Sequence, residues 1–344
     1  MSVKLTNIHN LPDTIVRACL YDTHKVAGDI SVSQLIESPR VIHLKRHNDY
    51  TEDVSERLYM LMGTSLHHIL ERGNMENVYY RAFDLVQEKL RETMKDVTDA
   101  NKKSGIQKVI DWMIKMAAYL FPELEKDEIL EVTRRMQIGS TVLYGTPDNY
   151  IISKETLYDY KFCSVYSYMF PEARHKWDAQ TNIYANLLEN DGYKVKEIKI
   201  IAFFRDWTSH GINRSKDYPP RQVMEIPVKR VGNADTLKYI TKRIELHNDV
   251  RNGGPIPMCT GKERWATSDT FAVKSKGAKN ALRVFATPQE AKAFMVENNH
   301  KFDGLDIEHR VGESKKCEKY CPVAKFCDQY AMEKEARREQ SDNL

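Results

Sequence analysis

The chain has 344 residues, with 52 Lys and Arg against 49 Asp and Glu, and a formal net charge of +3. Its 41% hydrophobic and 29% charged residues are typical of a globular protein, and its length suffices for one large domain or two modest ones. The small net charge excludes a general attraction to nucleic acid, so any basic surface must be local. No apolar run is long enough for a membrane span and no signal-peptide pattern opens the chain, so we expect a cytoplasmic protein without a membrane partner.

The first third of the sequence predicts helices. A capped short helix is expected over 29–35, and Pro39 should interrupt it. Apolar residues then recur at helical spacing over 54–94, with a break at Gly73, and a further helix is expected over 106–120.

The middle of the sequence predicts strands joined by turns. Strands are expected over 131–137, 141–144, 150–152, 156–162, 195–207 and 224–228, and helices over 174–190 and 235–251. Helices, then antiparallel strands, then a helix and a returning strand predict an α/β core with a central mixed sheet flanked by helices. We expect this core to span 1–252, with a helical insertion near 75–125.

The C-terminal part predicts a small α/β unit over 253–330 that packs on the core. It should contain strands over 281–286 and 305–310 and a helix over 288–298, followed by a charged tail over 331–344.

Two carboxylates and a lysine stand close together in the central strands. Asp148 follows a Gly-Thr-Pro turn, and Asp159 and Lys161 lie two apart on a strand, so their side chains share one face. Tyr160 then points away, and its backbone carbonyl can face a metal. Mg²⁺ prefers such carboxylate oxygens, and a neighbouring lysine can orient or help deprotonate a water. The alternative is a turn-capping aspartate beside a surface ion pair.

Two further motifs flank this group. His67 lies on the helix before the sheet, and Gln180 and Tyr184, four residues apart, share a face of the helix after it. A helical His, Gly-x-x-Asp, Asp-x-Lys and Gln-x-x-x-Tyr, in this order, resemble the RecB-type branch of the PD-(D/E)XK nuclease superfamily. That branch includes the nuclease domains of RecB and AddB and the small exonucleases of CRISPR adaptation and phages. The resemblance covers roughly 30–205 and returns near the C-terminus.

The resemblance implies a restriction-endonuclease-like core and a role for each matching residue. His67, Asp148, Asp159 and the Tyr160 carbonyl would bind Mg²⁺ or Mn²⁺, Lys161 would be the catalytic lysine, and Gln180 and Tyr184 would organise the site and contact DNA. Glu131 is expected only to mark the entering strand. Position in the order alone favours His67 over the adjacent His68.

Three of the six cysteines, Cys317, Cys321 and Cys327, crowd together near the C-terminus, a spacing that indicates a metal site. They resemble the C-terminal cysteines of the iron–sulfur members of the branch, which implies a [4Fe–4S] cluster, with Zn²⁺ as the alternative.

The fourth cysteine of those relatives precedes a Pro-Arg pair, where this chain has Ser38. Cys259 is the expected substitute and Cys19 the second choice, whereas Cys163 is expected in the core. The bound cluster or zinc ion would attach the C-terminal segment to the core and stabilise the fold. The alternative is that all six cysteines are reduced structural thiols.

Basic and aromatic residues between the catalytic strand and the following helix are candidates for DNA contacts. They are Tyr166, Arg174, Lys176 and Trp177, together with Lys274, Lys276, Lys279 and Arg283 further along the chain. The alternatives are core packing for the aromatic residues and a solvated face for the lysines.

The expected function is a Mg²⁺- or Mn²⁺-dependent DNA nuclease, an exonuclease acting on single strands or DNA ends in recombination, repair or phage DNA processing. The sequence has no Walker phosphate loop, so any helicase or recombination partner would be a separate chain. A non-catalytic DNA-binding or scaffold protein on a nuclease fold, and an RNA-directed nuclease, are the alternatives.

Overall fold

A computed structural model describes residues 3–20, 26–73, 104, 105, 107–109, 112, 127–302 and 304–342. The few described positions between 104 and 112 are helical. The rest of the predicted insertion near 75–125, including the end of the predicted 54–94 helix and most of the 106–120 helix, lies outside the described residues.

The strands follow in chain order. They are β1 (Lys4–Thr6), β2 (Ile30–Ser31), β3 (Thr51–Asp53), β4 (Glu128–Leu130), β5 (Arg134–Ile138), β6 (Thr141–Gly145), β7 (Asn149–Ile151), β8 (Thr156–Cys163), β9 (Glu197–Phe204), β10 (Val223–Val228), β11 (Thr270–Ser275), β12 (Arg283–Phe285) and β13 (Leu305–Arg310).

The α-helices are α1 (Asp13–Leu20), α2 (Val32–Ile36), α3 (Pro39–His47), α4 (Val54–Gly73), α5 (Tyr166–Met169), α6 (His175–Asn190), α7 (Asn233–Arg251), α8 (Gly261–Arg264), α9 (Pro288–Asn298), α10 (Lys315–Lys319) and α11 (Asp328–Asp342). Short 3₁₀ turns cover Pro171–Arg174, Ser209–Asn213 and Ala324–Phe326. In the described part of the chain, no helix is both long and apolar enough to cross a membrane.

The chain forms two compact units. The larger unit contains 7–36 and 54–244, and the smaller unit contains 1–6, 37–53 and 245–344. The expected domain division, with a core over 1–252, a small unit over 253–330 and a tail over 331–344, stays a prediction.

The larger unit is built on two sheets. One has five strands in the order β10-β9-β8-β7-β4, and the other has three in the order β2-β6-β5. In the five-stranded sheet β8 and β9 are parallel, and the remaining pairs are antiparallel. The predicted mixed α/β class is therefore confirmed.

Strand β9 shows why this sheet forms. Its residues alternate between buried and partly exposed, and Ile198, Ile200 and Phe204 are almost completely buried. Leu187 and Leu188 of α6 belong to the same hydrophobic core. This period-2 pattern is what a strand with one face against a helix requires.

The structure differs from the sequence expectations in several elements. The predicted 131–137 strand begins later, as β5 at Arg134, and the unpredicted strand β4 precedes it in a different sheet. The chain also changes sheets between β6 and β7, where Pro147 has no N–H for the β-ladder. Pro39 begins helix α3, because proline suits the first turn of a helix, whose N–H groups have no partner within the helix. Strand β11 was not predicted.

The smaller unit contains a parallel pair, β1 and β3, and an antiparallel sheet in the order β12-β11-β13. Helix α9 packs on this sheet and begins with a capping box between Thr287 and Glu290. A second hydrophobic core forms around Val41, Tyr50 and Val323.

Candidate active site

Strand register brings the two aspartates together. Asp148 directly precedes β7, and Asn149 of β7 pairs with Tyr158 of β8, so Asp148 stands opposite Asp159. The Tyr160 N–H donates to Asp148 Oδ2 at 2.6 Å, which fixes the carboxylate at the strand end. Because opposed residues of an antiparallel pair point to the same face, both carboxyl groups lie on one side of the sheet.

Asp159 and Lys161 form a buried ion pair. Asp159 is completely buried, and Lys161 Nζ lies 2.7 Å from Asp159 Oδ2. Within the described residues, no group other than Lys161 comes close enough to donate a hydrogen bond to either carboxylate oxygen of Asp159. A buried carboxylate with a single neighbouring donor has lone pairs left to bind a metal ion.

Helix α6 supports the lysine. Lys161 Nζ donates to Gln180 Oε1 at 3.1 Å, and Gln180 Nε2 donates to Tyr184 Oη at 2.9 Å. Tyr184 is buried, and its ring packs against Gly145 so closely that an added Cβ there would lie 2.7 Å from Tyr184 Cε1. The glycine of the Gly-Thr-Pro-Asp motif therefore makes room for the tyrosine that orients Gln180.

A histidine and a second acid complete the group. His67 Nδ1, on α4, lies 3.4 Å from Glu131 Oε1 and 3.6 Å from Asp148 Oδ1. Glu131 follows β4 in a left-handed conformation, with φ of 49°, and its N–H donates to the Asp148 carbonyl at 3.1 Å. We call His67, Glu131, Asp148, Asp159 and Lys161 the carboxylate site.

Glu131 is the residue whose role the sequence analysis missed. Its ligand atom and those of His67 and Asp148 lie within 4.8 Å of one another, the only such group of three or more among the described residues. No sequence spacing relates it to the Asp-x-Lys motif. The one available signal was its position next to a short apolar strand.

Burial and charge shift the pKa values of these groups. Burial, followed by the charge of Asp159, raises the pKa of Asp148 to about 7. Its hydrogen bond to Glu131 raises the pKa of His67, although burial opposes the shift. Burial lowers the pKa of Lys161, but the charges of Asp159 and Asp148 outweigh it and the net shift is upward. Burial raises the pKa of Tyr184, so its phenol keeps its proton.

The donor set fits a hard divalent cation. Ligand atoms of one imidazole and two carboxylates, from His67, Glu131 and Asp148, lie within 4.8 Å of one another, and the Asp159 carboxylate lies on the same side of the sheet as that of Asp148. Lys161, held as a cation by two carboxylates, lies beside them. The site can therefore combine a bound metal with a fixed positive charge.

The remaining predicted residues of the larger unit have different surroundings. The Tyr160 ring lies edge-on to His67, with centroids 6.2 Å apart, and its hydroxyl accepts from Asn149. Tyr166 is exposed and its ring lies 4.4 Å from that of Phe170. Trp177 packs against the core, and Arg174 and Lys176 are half-buried.

The basic loop between β11 and β12 belongs to the smaller unit. Lys274 is ion-paired with Glu308, so its charge is largely neutralised. Lys276 and Lys279 are exposed at the tip, and Arg283 lies over the ring of Phe285.

Four cysteines of the smaller unit line one small cavity. Cys259, Cys317, Cys321 and Cys327, here called the sulfur site, are all half-buried and unpaired in disulfides. Ser38 Oγ lies 3.1 Å from Cys259 Sγ. The other two cysteines, Cys19 and Cys163, are buried in the larger unit.

The thiols of the sulfur site affect one another. Burial, followed by the charge of Cys321, raises the pKa of Cys317 to about 12, and burial also raises the pKa of Cys259 and Cys321. Zinc at about 2.3 Å from each sulfur would need neighbouring sulfurs about 3.8 Å apart. Among the described residues no three cysteine sulfurs lie within 4.8 Å of one another, so the arrangement is wider than a zinc tetrahedron.

No protein-family model and no curated protein sequence matches this chain. Among solved structures, the protein SSO0001 is 14% identical, with a TM-score of 0.35 over 69% of this chain and 84% of the other. A phage-related exonuclease from Haemophilus somnus 129PT is 16% identical, with a TM-score of 0.26 over 48% and 82%. A candidate exonuclease from Eubacterium rectale is 14% identical, with a TM-score of 0.29 over 67% and 87%. TM-scores in this range do not establish a common fold.

Proposed function

We propose that this protein is a divalent-metal-dependent DNA nuclease that uses Mg²⁺ or Mn²⁺. The observation that carries the proposal is the register of β7 and β8, which places Asp148, Asp159 and Lys161 on one face of the sheet. Phosphodiester hydrolysis requires a nucleophile and stabilisation of negative charge on the phosphate and the leaving oxygen. A divalent cation held by His67, Glu131, Asp148 and Asp159 would supply the activated water and part of that stabilisation.

The chain's own residues supply the remainder. Lys161 is protonated and held by Asp159 and Gln180, so its ammonium can stabilise charge that develops on the phosphate. Tyr184 fixes the amide of Gln180, whose oxygen is thereby kept towards Lys161. Because Lys161 and Gln180 are both held in place, their side chains need little reorganisation when the substrate reacts.

The substrate is proposed to be single-stranded DNA or a DNA end. Tyr166 and Phe170, close in sequence to β8, form an exposed pair of rings on which unpaired bases can stack. Arg174 and Lys176, between these rings and Gln180, can bind phosphates. Exonuclease action and a role in recombination, repair or phage DNA processing rest on the family resemblance.

The sulfur site is proposed to hold a [4Fe–4S] cluster. Four thiols around one cavity, spaced more widely than zinc requires, fit a group whose four thiolates bind separate irons. Such a group would hold together the segments that carry the cysteines, which is a stabilising role.

Labelled single-stranded DNA, double-stranded DNA and RNA, each incubated with Mg²⁺, Mn²⁺ or EDTA, test the nuclease. We expect metal-dependent DNA cleavage that falls by about 10²-fold or more in Asp159→Asn and Lys161→Met. The control is Lys199→Met, because Lys199 lies on the neighbouring strand and, among the described residues, its ion pairs are with Glu197 and Glu225. DNA binding without any metal-dependent cleavage would show a scaffold, and cleavage of RNA alone would show an RNA nuclease.

A further inference from the structure

Ser38 has an unusual contact for a residue at the start of a helix. It is the residue before α3, where a serine normally accepts a backbone N–H of the first turn, yet its side chain makes no such hydrogen bond. The side chain is almost completely buried, and its Oγ lies 3.1 Å from Cys259 Sγ. The hydroxyl thus contacts the sulfur site and leaves the helix uncapped.

The backbone around Cys259 is held by buried polar side chains. Gln329 accepts from the Cys259 N–H at 2.8 Å and donates to the Cys259 carbonyl at 2.9 Å. Arg40 donates to the carbonyls of Pro257 and Ile256 at 3.0 and 2.9 Å. Arg40 and Gln329 are each 5% exposed, so these bonds have little competition from water.

A third contact comes from α8. Arg264 Nε donates to the Cys259 carbonyl at 3.1 Å, and the same guanidinium is paired with Glu333 of α11. Three side chains from three helices therefore fix the backbone of this loop. These backbone contacts do not determine the direction of the Cys259 sulfur. The Ser38 hydroxyl lies beside that sulfur.

We propose that Ser38 is a positioning residue of the sulfur site, whose hydroxyl donates a hydrogen bond to the Cys259 thiolate and keeps that sulfur directed at the cavity. The inference rests on the proposed metal centre at the four cysteines. A thiolate has no proton to give, so the serine must be the donor whenever Cys259 binds a metal.

The hydrogen bond has two consequences. Partners that hydrogen-bond a metal ligand contribute to metal retention, typically by 10- to 100-fold in affinity. A hydrogen bond to a ligand sulfur also withdraws electron density and raises the reduction potential of a cluster. Ser38 thus adjusts the sulfur site without being a ligand of it.

The test compares Ser38→Ala with wild type and Ser38→Thr, all purified without oxygen. We expect Ser38→Ala to bind metal but lose it to a chelator about 10- to 100-fold faster, and, if the group is a cluster, to have a lower midpoint potential. Ser38→Thr keeps the hydroxyl and should restore both values towards wild type. Cys259→Ser should lose the metal altogether.

A matched control separates this effect from loss of packing. Asn298, at the end of α9, is also a buried polar residue of the smaller unit, but its side chain donates to the Phe294 carbonyl. Asn298→Ala should lower the free energy of unfolding and leave the midpoint potential unchanged. Equal metal release and equal potential in Ser38→Ala and wild type would overturn the inference, as would a wild-type protein without iron or zinc.

The outcome is independent of the nuclease proposal. Asp159→Asn should stop DNA cleavage and keep the same iron or zinc content and the same midpoint potential of the sulfur site as wild type. Absence of cleavage in a metal-loaded wild type would therefore reject the nuclease alone.

Discussion

The carboxylate site and the sulfur site are assembled in opposite ways. The aspartates and the lysine of the carboxylate site come from two paired strands, whose ladder fixes them without a ligand. The cysteines lie on a short helix and in turns, and the whole β11–β13 sheet is inserted between Cys259 and Cys317. Their positions depend on buried polar side chains and, we propose, on a bound group. Loss of metal should therefore inactivate the carboxylate site without unfolding it, whereas it should unfold the surroundings of the sulfur site.

The largest expected effect separates the two sites directly. Cys321→Ser should remove the metal from the sulfur site and destabilise the smaller unit by several kcal/mol, about 100-fold or more in its opening equilibrium. Limited proteolysis followed by mass spectrometry should then find new cuts within 245–342. Asp159→Asn is the opposite variant, and its cutting pattern should match that of wild type. Equal protease resistance of Cys321→Ser and wild type would contradict a structural role for the bound group.

Glu131 tests which acids bind the metal of the carboxylate site. Its carboxylate lies within reach of His67 Nδ1, so it is placed as a ligand. Glu131→Gln keeps the size of the side chain, and its Mn²⁺ affinity, measured by calorimetry, should fall by about 100-fold or more, above the loss typical of a residue that only supports a ligand. Unchanged affinity would remove Glu131 from the ligand set. Glu128→Gln, on the strand β4 that Glu131 follows, is the control.

The packing of Tyr184, which orients Gln180, can be changed by a substitution that alters no charged residue. In Gly145→Ala the added Cβ would lie 2.7 Å from Tyr184 Cε1 and from Val32 Cγ2, so the tyrosine ring must move. We expect a loss of about 1–3 kcal/mol in the free energy of unfolding, measured in urea, together with slower DNA cleavage. Gly63→Ala is the matched control, since nothing lies within 4 Å of its added Cβ. That helical substitution should be neutral or stabilising.

The pH dependence of metal binding tests the state of Asp148. Burial raises the pKa of Asp148 to about 7, so below this pH a cation must displace its proton. The apparent affinity for Mn²⁺ should therefore fall about tenfold per pH unit below 7 from this group alone and level off above it. Protonation of His67, whose pKa is also raised, would steepen the fall. Calorimetry from pH 5.5 to 8.5 measures the slope, and a flat profile would show that neither group binds the metal.

The smallest effect concerns the basic loop. Lys279 is exposed, and if it contacts a phosphate then Lys279→Ser should reduce the slope of log affinity against log salt by about 1. Lys274→Ser should change the slope less, because Lys274 is already ion-paired with Glu308. Fluorescence anisotropy with single-stranded DNA at several salt concentrations distinguishes the two. Equal slopes for both variants and wild type would exclude the loop from the DNA interface.

Local patterns in the sequence were sufficient for most of the larger unit. The apolar alternation of β9 and the amphipathic 174–190 segment predicted a strand and a helix that the structure confirms within a few residues. Strand β11 was missed because Phe271, Ala272 and Val273 follow one another without alternation, and the α3 helix was missed because Pro39 was interpreted as a break.

The sequence by itself determined that Asp159 and Lys161 share a face, because side chains alternate along a strand, and that three cysteines crowd near the C-terminus. Only the tertiary structure decided that Glu131 meets His67, 64 residues away, and that Ser38 meets Cys259, 221 residues away. The periodicity of apolar residues and the spacing of a motif relate residues that are only a few positions apart. Contacts between residues 64 or 221 positions apart depend instead on how strands pair and helices pack. The resemblance indicated a fourth sulfur ligand at position 38, and the fold places there a serine hydroxyl beside the sulfur of Cys259.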